Sequence, residues 1–498
     1  MAVSRETILK YNDYSTPEGI AARAAYLEGM TFQEVLDLDI SPEGVSREYG
    51  NIRYKGGMGI LIEERFFGYK ANSDHDADFP EAGVEAKTTC FDVKKDGDYS
   101  AGERLSITMI PHNCPIEDEY DDAVVARKSK KMLLVFYQRD RSVSSYEQKI
   151  KYAKLFVIPE KDLKIIRDDY RKIVAYIKAG RAAELSEGMT VYLGASTKGA
   201  NAEKSTVPWY YQPEGQKART RNFCLKRQYM DYVLHHYFMD AGDDSDCIVK
   251  GSIPEEETFE EYVLSLIDRY KGKTDLELCE EFDMPYKGGK AQWSALSYAM
   301  LGVRGEKAEE FEKANISVRT VRVEPRGGIR ENLSLNTFDF IDLLEEDDWD
   351  NANLHDYLEE TRFFFVVFRK EGKISRLMGA RFWSMPMVDL YGPVQECWNK
   401  TKEVIRAGVE LTPKTLPNGS VRIENNLPGM KDNPVVHVRP HANRSAYRFG
   451  DGTEIGDVKK DACSLPDGRM MTKQSFWINH DYVYKAIEFP VSENGEDN

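Results

Sequence analysis

The spacing of apolar and polar positions changes several times along the first half of the chain. From Tyr11 to Leu38 it is helical, with Ile20, Ala21, Ala24 and Ala25 behind a Ser15-Thr16-Pro17-Glu18 start in which Thr16 can cap. After a turn rich in glycine (Gly56, Gly57, Gly59), Ile60 to Phe67 is helix-like again, and Gly68 ends it. Strand-like runs follow at Gly83 to Thr89, Arg104 to Ile110 and Met132 to Tyr137, and this mixed order predicts an α/β fold. At 498 residues the chain exceeds the size at which one core keeps growing, so two domains of roughly 200 to 250 residues are expected. The acidic stretch from Asp240 to Thr258 reads as the linker, which divides the chain into 1–250 and 251–498. The polar end, Ser492 to Asn498, is expected to fray.

The second half repeats the first. KGGMGILIEERFFG at 55–68 and DADFPEAGVEAKTT at 76–89 are matched by KGGKAQWSALSYAMLG at 287–302 and AEEFEKANISVRTV at 308–321. Each pair of blocks shares Lys-Gly-Gly, a helix ending in Gly, an acidic-Phe step and a strand ending in a cation and Thr, in the same order, which points to duplication.

Charge and rare residues narrow the chemistry. A net charge of −16 argues against a protein that coats nucleic acid by overall basicity, so any DNA contact must be a local basic cleft. Two segments are dense in cations: Lys217, Arg219, Arg221, Lys226 and Arg227, and Arg127, Lys128, Lys130 and Lys131. The seven cysteines are scattered without a CxxC pair and are expected to be reduced thiols. His437 and His441 are separated by Pro440, and His235 and His236 are adjacent, so neither pair is spaced for zinc. No apolar run reaches the roughly 18 residues of a membrane span, and Met1 to Tyr14 lacks a signal peptide's apolar stretch, which predicts a cytoplasmic protein.

Alternation along a strand sends Glu85 and Lys87 to one face and Val84 and Ala86 to the other. Asp78 precedes the turn residues Pro80 and Gly83, where a short loop can bring its carboxylate beside Glu85. Two carboxylates so placed can hold magnesium through oxygen, while the Lys87 ammonium positions a water and stabilises charge building on phosphorus. The Glu-x-Lys spacing alone is unspecific, since Glu147-Lys149 and Glu371-Lys373 share it; here Glu63 and Glu64 add a further carboxylate source just upstream.

The residues KGGMGILIE, DFPEAGVEAKTT, MLLVF, LSEGMTVYLGASTKGANAE and NFCLKRQYM resemble, in order and spacing, the motifs of the MutH family of GATC-directed DNA endonucleases. HVRPHAN at 437–443 and MTKQSFWINHDYV at 471–483 resemble the second half of that family's two-domain restriction enzymes, the Sau type that cut at GATC. The resemblance implies a PD-(D/E)xK nuclease fold duplicated as two MutH-like domains, hydrolysing double-stranded DNA with Mg2+. It also implies a catalytic set of Asp78, Glu85 and Lys87, with Asp78 and Glu85 as metal ligands. Matching from the left through Lys-Gly-Gly makes Glu63 the additional acidic residue; matching back from Gly68 would choose Glu64. Ala86 stands where the family usually has Leu, a packing difference only.

The resemblance further implies base reading by Lys198 and Asn201 and phosphate contacts by Lys55 and Lys226. Through the repeat, Asp78 becomes Glu310, Glu85 becomes Ser317 and Lys87 becomes Arg319, so the second half is expected not to cut. It keeps a recognition-type segment with Arg439 and Asn443 and is expected to bind a second DNA site, or else to serve only as a scaffold. One cutting site per chain implies a transient dimer on DNA, and a restriction enzyme implies a cognate DNA methyltransferase. The alternatives are a mismatch-repair nicking enzyme, which would need only the first half, and a DNA-binding protein without catalysis.

Overall fold

The computed structural model describes residues 5–42, 48–50, 56–71, 76–197, 205–239, 246–419 and 421–487. These form two compact units: Met1–Phe259 with Lys307–Asn315, and Glu260–Glu306 with Ile316–Asn498. The division falls at Phe259, and a short stretch of the second half returns to the first unit.

In the first unit the N-terminal helical run is broken in two. α1 (Pro17–Ala24) is capped by Thr16, whose hydroxyl accepts from Gly19 N, and α2 (Phe32–Asp37) starts afresh with a Thr31–Glu34 capping box. Gly29, at φ 91°, takes the chain out of helical geometry between them. α3 (Gly57–Leu61) continues, more loosely wound, through Ile62–Phe67 and ends on Gly68 at φ 78°. A Cβ on Gly57 would sit 2.1 Å from the Tyr49 carbonyl oxygen, so this helix packs where only glycine fits.

The main sheet is built from β1 (Glu85–Val93), β2 (Tyr99–Ala101), β4 (Lys131–Gln138) and β5 (Lys149–Val157), in the order β2-β1-β4-β5. β1 and β4 are parallel, with Lys87 opposite Leu134, and β4 and β5 are antiparallel. Met132 to Phe136 are fully buried, as expected of a central strand covered on both faces. A second sheet pairs β3 (Leu105–Met109), β7 (Arg221–Leu225) and β6 (Leu193–Thr197) in the order β3-β7-β6. α4 (Val124–Ser129) leads into β4, α5 (Glu160–Lys178) follows β5, and α6 (Arg227–Val233) follows β7.

The second unit repeats this plan. β8 (Ile316–Val323) runs parallel to β10 (Arg362–Glu371), which pairs antiparallel with β11 (Ile374–Trp383). β9 (Leu333–Phe338), β13 (Gln474–Ile478) and β12 (Val436–Pro440) form the companion sheet. α7 (Lys290–Met300) precedes β8, and α9 (His480–Ile487) follows β13 as α6 follows β7, while α8 (Gln395–Ala407) lies between. The fold is α/β and duplicated, and each unit has its own core.

The returning stretch is a helix, Glu309–Ala314, that packs on α6 within the first unit. Lys313 is fully buried there, 3.1 Å from Asp162 and 2.7 Å from Glu309, and Lys161 also reaches Glu309 at 2.7 Å. Glu310 accepts from the backbone nitrogens of Ile248 (2.8 Å) and Val249 (3.0 Å).

Candidate active site

The local chain at 78–87 is a tight turn feeding a strand. Phe79 and Val84 exchange backbone hydrogen bonds of 2.9 and 3.2 Å across Pro80–Gly83, with Gly83 at φ 62°. The two residues are apolar and buried, so the turn is pinned by its own core contacts. Asp78 is thereby set against the start of β1: its carboxylate accepts from Ala86 N at 2.9 Å, and its own backbone N–H donates to Glu85 at 3.3 Å. Lys87 Nζ lies 2.7 Å from Glu85 Oε1. Asp78, Glu85 and Lys87 therefore form one cluster.

Burial and crowding of like charge raise the carboxyls. Asp78 is pushed up to about 6, by burial first and then by Glu85, against the pull of the Ala86 N–H, Lys87 and Lys128. Glu63 is pushed up to about 8 by burial and then by Asp78, with Lys87 opposing. Glu63 thus lies in the field of the cluster, whereas Glu64 is fully buried and accepts from the Tyr49 hydroxyl at 2.7 Å and from Ala71 N at 3.3 Å.

One member of the site is not apparent from the sequence. Lys128, which there belongs to a basic patch, is buried with its ammonium 3.2 Å from Glu85 Oε2. Parallel pairing of β1 with β4 explains this, because Glu85 stands opposite Met132 and α4 delivers Lys128 just before that strand. The Tyr69 hydroxyl is also buried, with no hydrogen-bond partner among the described residues, and burial together with Asp78, Glu63 and Glu85 holds its ionisation above the ordinary range.

The donor set fits a hard divalent cation. Carboxyls raised by one another are short of positive charge, and an unpartnered hydroxyl lies in the field of the same cluster. The adjacent carboxylates of Asp78 and Glu85 are the ones that could hold such a cation, with water completing its shell.

Other expected site residues fare differently. Lys55, Lys198 and Asn201 lie outside the described residues. Lys226 is not a phosphate contact: it is 1% exposed, donates to the Thr190 carbonyl and neighbours the buried Asp169, so its ammonium is committed to the interior. Arg221, from the same cation-rich segment, is equally buried and donates to Ala195 O at 2.6 Å. That segment is interior wiring as much as surface. Arg439 and Asn443 are exposed in the second unit, with the Arg439 guanidinium 5.0 Å from the centre of the Trp477 ring.

A mixed sheet whose first strand carries Glu-x-Lys, with an aspartate delivered by the turn ahead of it, is the arrangement of PD-(D/E)xK nucleases. Residues 67–169, which include Asp78, Glu85, Lys87 and Lys128, match the family model described as the DNA mismatch repair enzyme MutH. The chain is 35% identical over 451 residues to the type II restriction enzyme Sau3AI of Staphylococcus aureus, covering 85% of this chain and 91% of that enzyme. It is 26% identical to the DNA mismatch repair protein MutH of Shigella flexneri over 231 residues and of Escherichia coli over 229; each match covers 45% of this chain and 94% of the relative. The chain belongs to the Sau3AI family of type II restriction enzymes and is a site-specific deoxyribonuclease.

Proposed function

We propose that the chain hydrolyses both strands of duplex DNA at GATC with magnesium, cutting in the first unit and binding a second GATC site in the second. The observation that carries the cutting site is the convergence of Asp78, Glu85 and Lys87 at the start of β1. Magnesium on Asp78 and Glu85 supplies Lewis acidity toward the phosphate when bound. Lys87, held by Glu85 and partly open to solvent, orients the attacking water and donates to the phosphate oxygen as negative charge grows there. Glu63 adds a further carboxyl to the cluster, and Lys128 holds Glu85 in place through an ion pair at 3.2 Å.

GATC recognition follows from the family resemblance of 185–203 and 437–443, with Lys198 and Asn201 reading base edges and Lys55 on phosphate in the first unit, and Arg439 and Asn443 in the second. One cutting site per chain makes two chains meet transiently on DNA for a double-strand break. A cognate methyltransferase protects the host's own sites in the cytoplasm.

The test is plasmid digestion with and without magnesium, beside Glu85→Ala and Lys87→Ala, with the fragment ends sequenced. Ends at GATC, lost in both variants, support the reading; intact plasmid with shifted mobility would leave a DNA-binding protein. For the second site, Arg439→Ala with Asn443→Ala should abolish faster cutting of two-site than of one-site DNA.

A further inference from the structure

The two units place different chemistry at equivalent strand positions. In β1, Glu85 and Lys87 stand opposite Met132 and Leu134; in β8, Ser317 and Arg319 stand opposite Phe363 and Phe365. Ser317 therefore occupies the place of Glu85, and Arg319 that of Lys87. The repeat puts Glu310 in the place of Asp78, yet Glu310 belongs to the first unit and spends its carboxylate on the backbone nitrogens of Ile248 and Val249. Counting from Lys-Gly-Gly, the position of Glu63 is filled by Ala295. Every carboxylate of the cutting site is thus missing from its counterpart.

A cleft of about 740 Å³ takes its place, lined by Lys290, Arg319, Arg330, Arg439 and Trp477 with Glu306 and Glu331 on its rim. Lys290 is paired with Glu331, and Arg330 with Glu324 at 3.3 Å. Arg319 makes a single long hydrogen bond, 3.4 Å to the Val318 carbonyl, and has no carboxylate partner among the described residues. The Arg439 guanidinium lies 5.0 Å from the centre of the Trp477 ring and is exposed, with no acidic partner among the described residues. Two guanidinium groups without acidic partners in one open cleft cannot attract a metal ion; they match the paired oxygens of a phosphate.

We infer that this cleft grips a phosphate of the DNA backbone directly through Arg319 and Arg439, without any metal ion, so that the second unit engages DNA in the absence of divalent cations while cutting requires them. The inference rests on the second-site reading above and deepens it. In the first unit a phosphate instead meets the Asp78 and Glu85 carboxylates, for which the second unit has no counterpart, and a cation is needed to offset them.

The experiment uses the full chain carrying Glu85→Ala, so that DNA stays intact, and a fluorescent duplex with one GATC, followed by anisotropy in EDTA and in magnesium across a salt series. The parent is expected to bind in EDTA. Adding Arg319→Ala and Arg439→Ala should weaken that binding at least tenfold and reduce the salt slope by about 0.9, for the one phosphate left without its arginines. Arg319→Lys, which keeps charge but not the fork, should fall between, and its unchanged thermal melting distinguishes a weakened grip from a damaged fold. Binding that appears only with magnesium, or a slope unmoved by the double substitution, overturns the inference. Its failure is separable from that of the second-site reading by digesting one-site and two-site plasmids with Glu85 restored. If the double variant loses the two-site advantage while EDTA binding is unmoved, the second site stands and the metal-free grip fails; if the unsubstituted chain shows no two-site advantage, the second-site reading itself fails.

Discussion

Glu63→Gln offers a sharp test of the electrostatics of the proposed cutting site. Burial and the charge of Asp78 push the Glu63 carboxyl from an ordinary 4.5 up to about 8, so folding favours its protonated form. Stability from this group is therefore fully present below pH about 4.5 and is lost as pH rises through about 8. A shift of that size at about 1.4 kcal/mol per pH unit is an upper bound near 5 kcal/mol, and partial solvation brings the expected penalty to roughly 2–5 kcal/mol. Glutamine has the shape of the protonated acid and carries no such penalty. In EDTA, Glu63→Gln should therefore stabilise the first unit by roughly 2–5 kcal/mol near pH 8 and leave it almost unchanged near pH 4.5. Hydrogen exchange of peptides covering α3 and β1, read by mass spectrometry, reports that unit separately from the second. Saturating magnesium should shrink the gain, because the cation offsets the charge that glutamine removes. Equal destabilisation at both pH values would refute the reasoning and make Glu63 an ordinary packing residue.

Other substitutions probe the surroundings. Lys128→Met removes one of two ammonium groups on Glu85; cleavage at saturating magnesium should fall at least tenfold while the magnesium concentration for half-maximal rate drops, measured by single-turnover kinetics. Lys226→Met should destabilise the first unit by roughly 3–5 kcal/mol in urea unfolding yet leave the salt slope of DNA binding unchanged, since its ammonium faces Thr190 O and Asp169. Lys313→Ala strands Asp162 and Glu309 without their shared cation and should cost about 3–5 kcal/mol, visible as faster hydrogen exchange in α5 and α6; a cost below about 1 kcal/mol would mean water enters and solvates the pair.

Much of the proposed cutting site is legible in the sequence because it is local. Alternation sends Glu85 and Lys87 to one side, and Pro80 and Gly83 announce the turn that returns Asp78, although the strand begins at Glu85 because Val84 is used in closing that turn. Glu63 and Glu64 cannot be separated in the sequence, because matching the motif from Lys-Gly-Gly and back from Gly68 picks one each; in the structure the Tyr49 hydroxyl engages Glu64, while Glu63 lies in the field of Asp78. What a single sequence hides is long-range pairing. Lys128 meets Glu85 only through the parallel register of β1 and β4, and Lys226 looks like surface charge until α5 places Asp169 beside it. The repeat sets Glu310 at a degenerate metal site, yet its carboxylate caps two backbone nitrogens, a role that leaves no trace in residue spacing.

The helix Glu309–Ala314 also sets a timetable. The first unit needs Lys313 to neutralise Asp162 in its interior, but that lysine is encoded after Glu260–Glu306, a segment that belongs to the other unit. A ribosome adding roughly 5–20 residues per second delivers it some seconds after the rest of the nuclease has emerged. Until then the seat beside α6 is unfilled and Asp162 is without the ammonium that meets it in the finished unit. A division of the chain at residue 259 would therefore separate Lys313 from the unit in which it is buried.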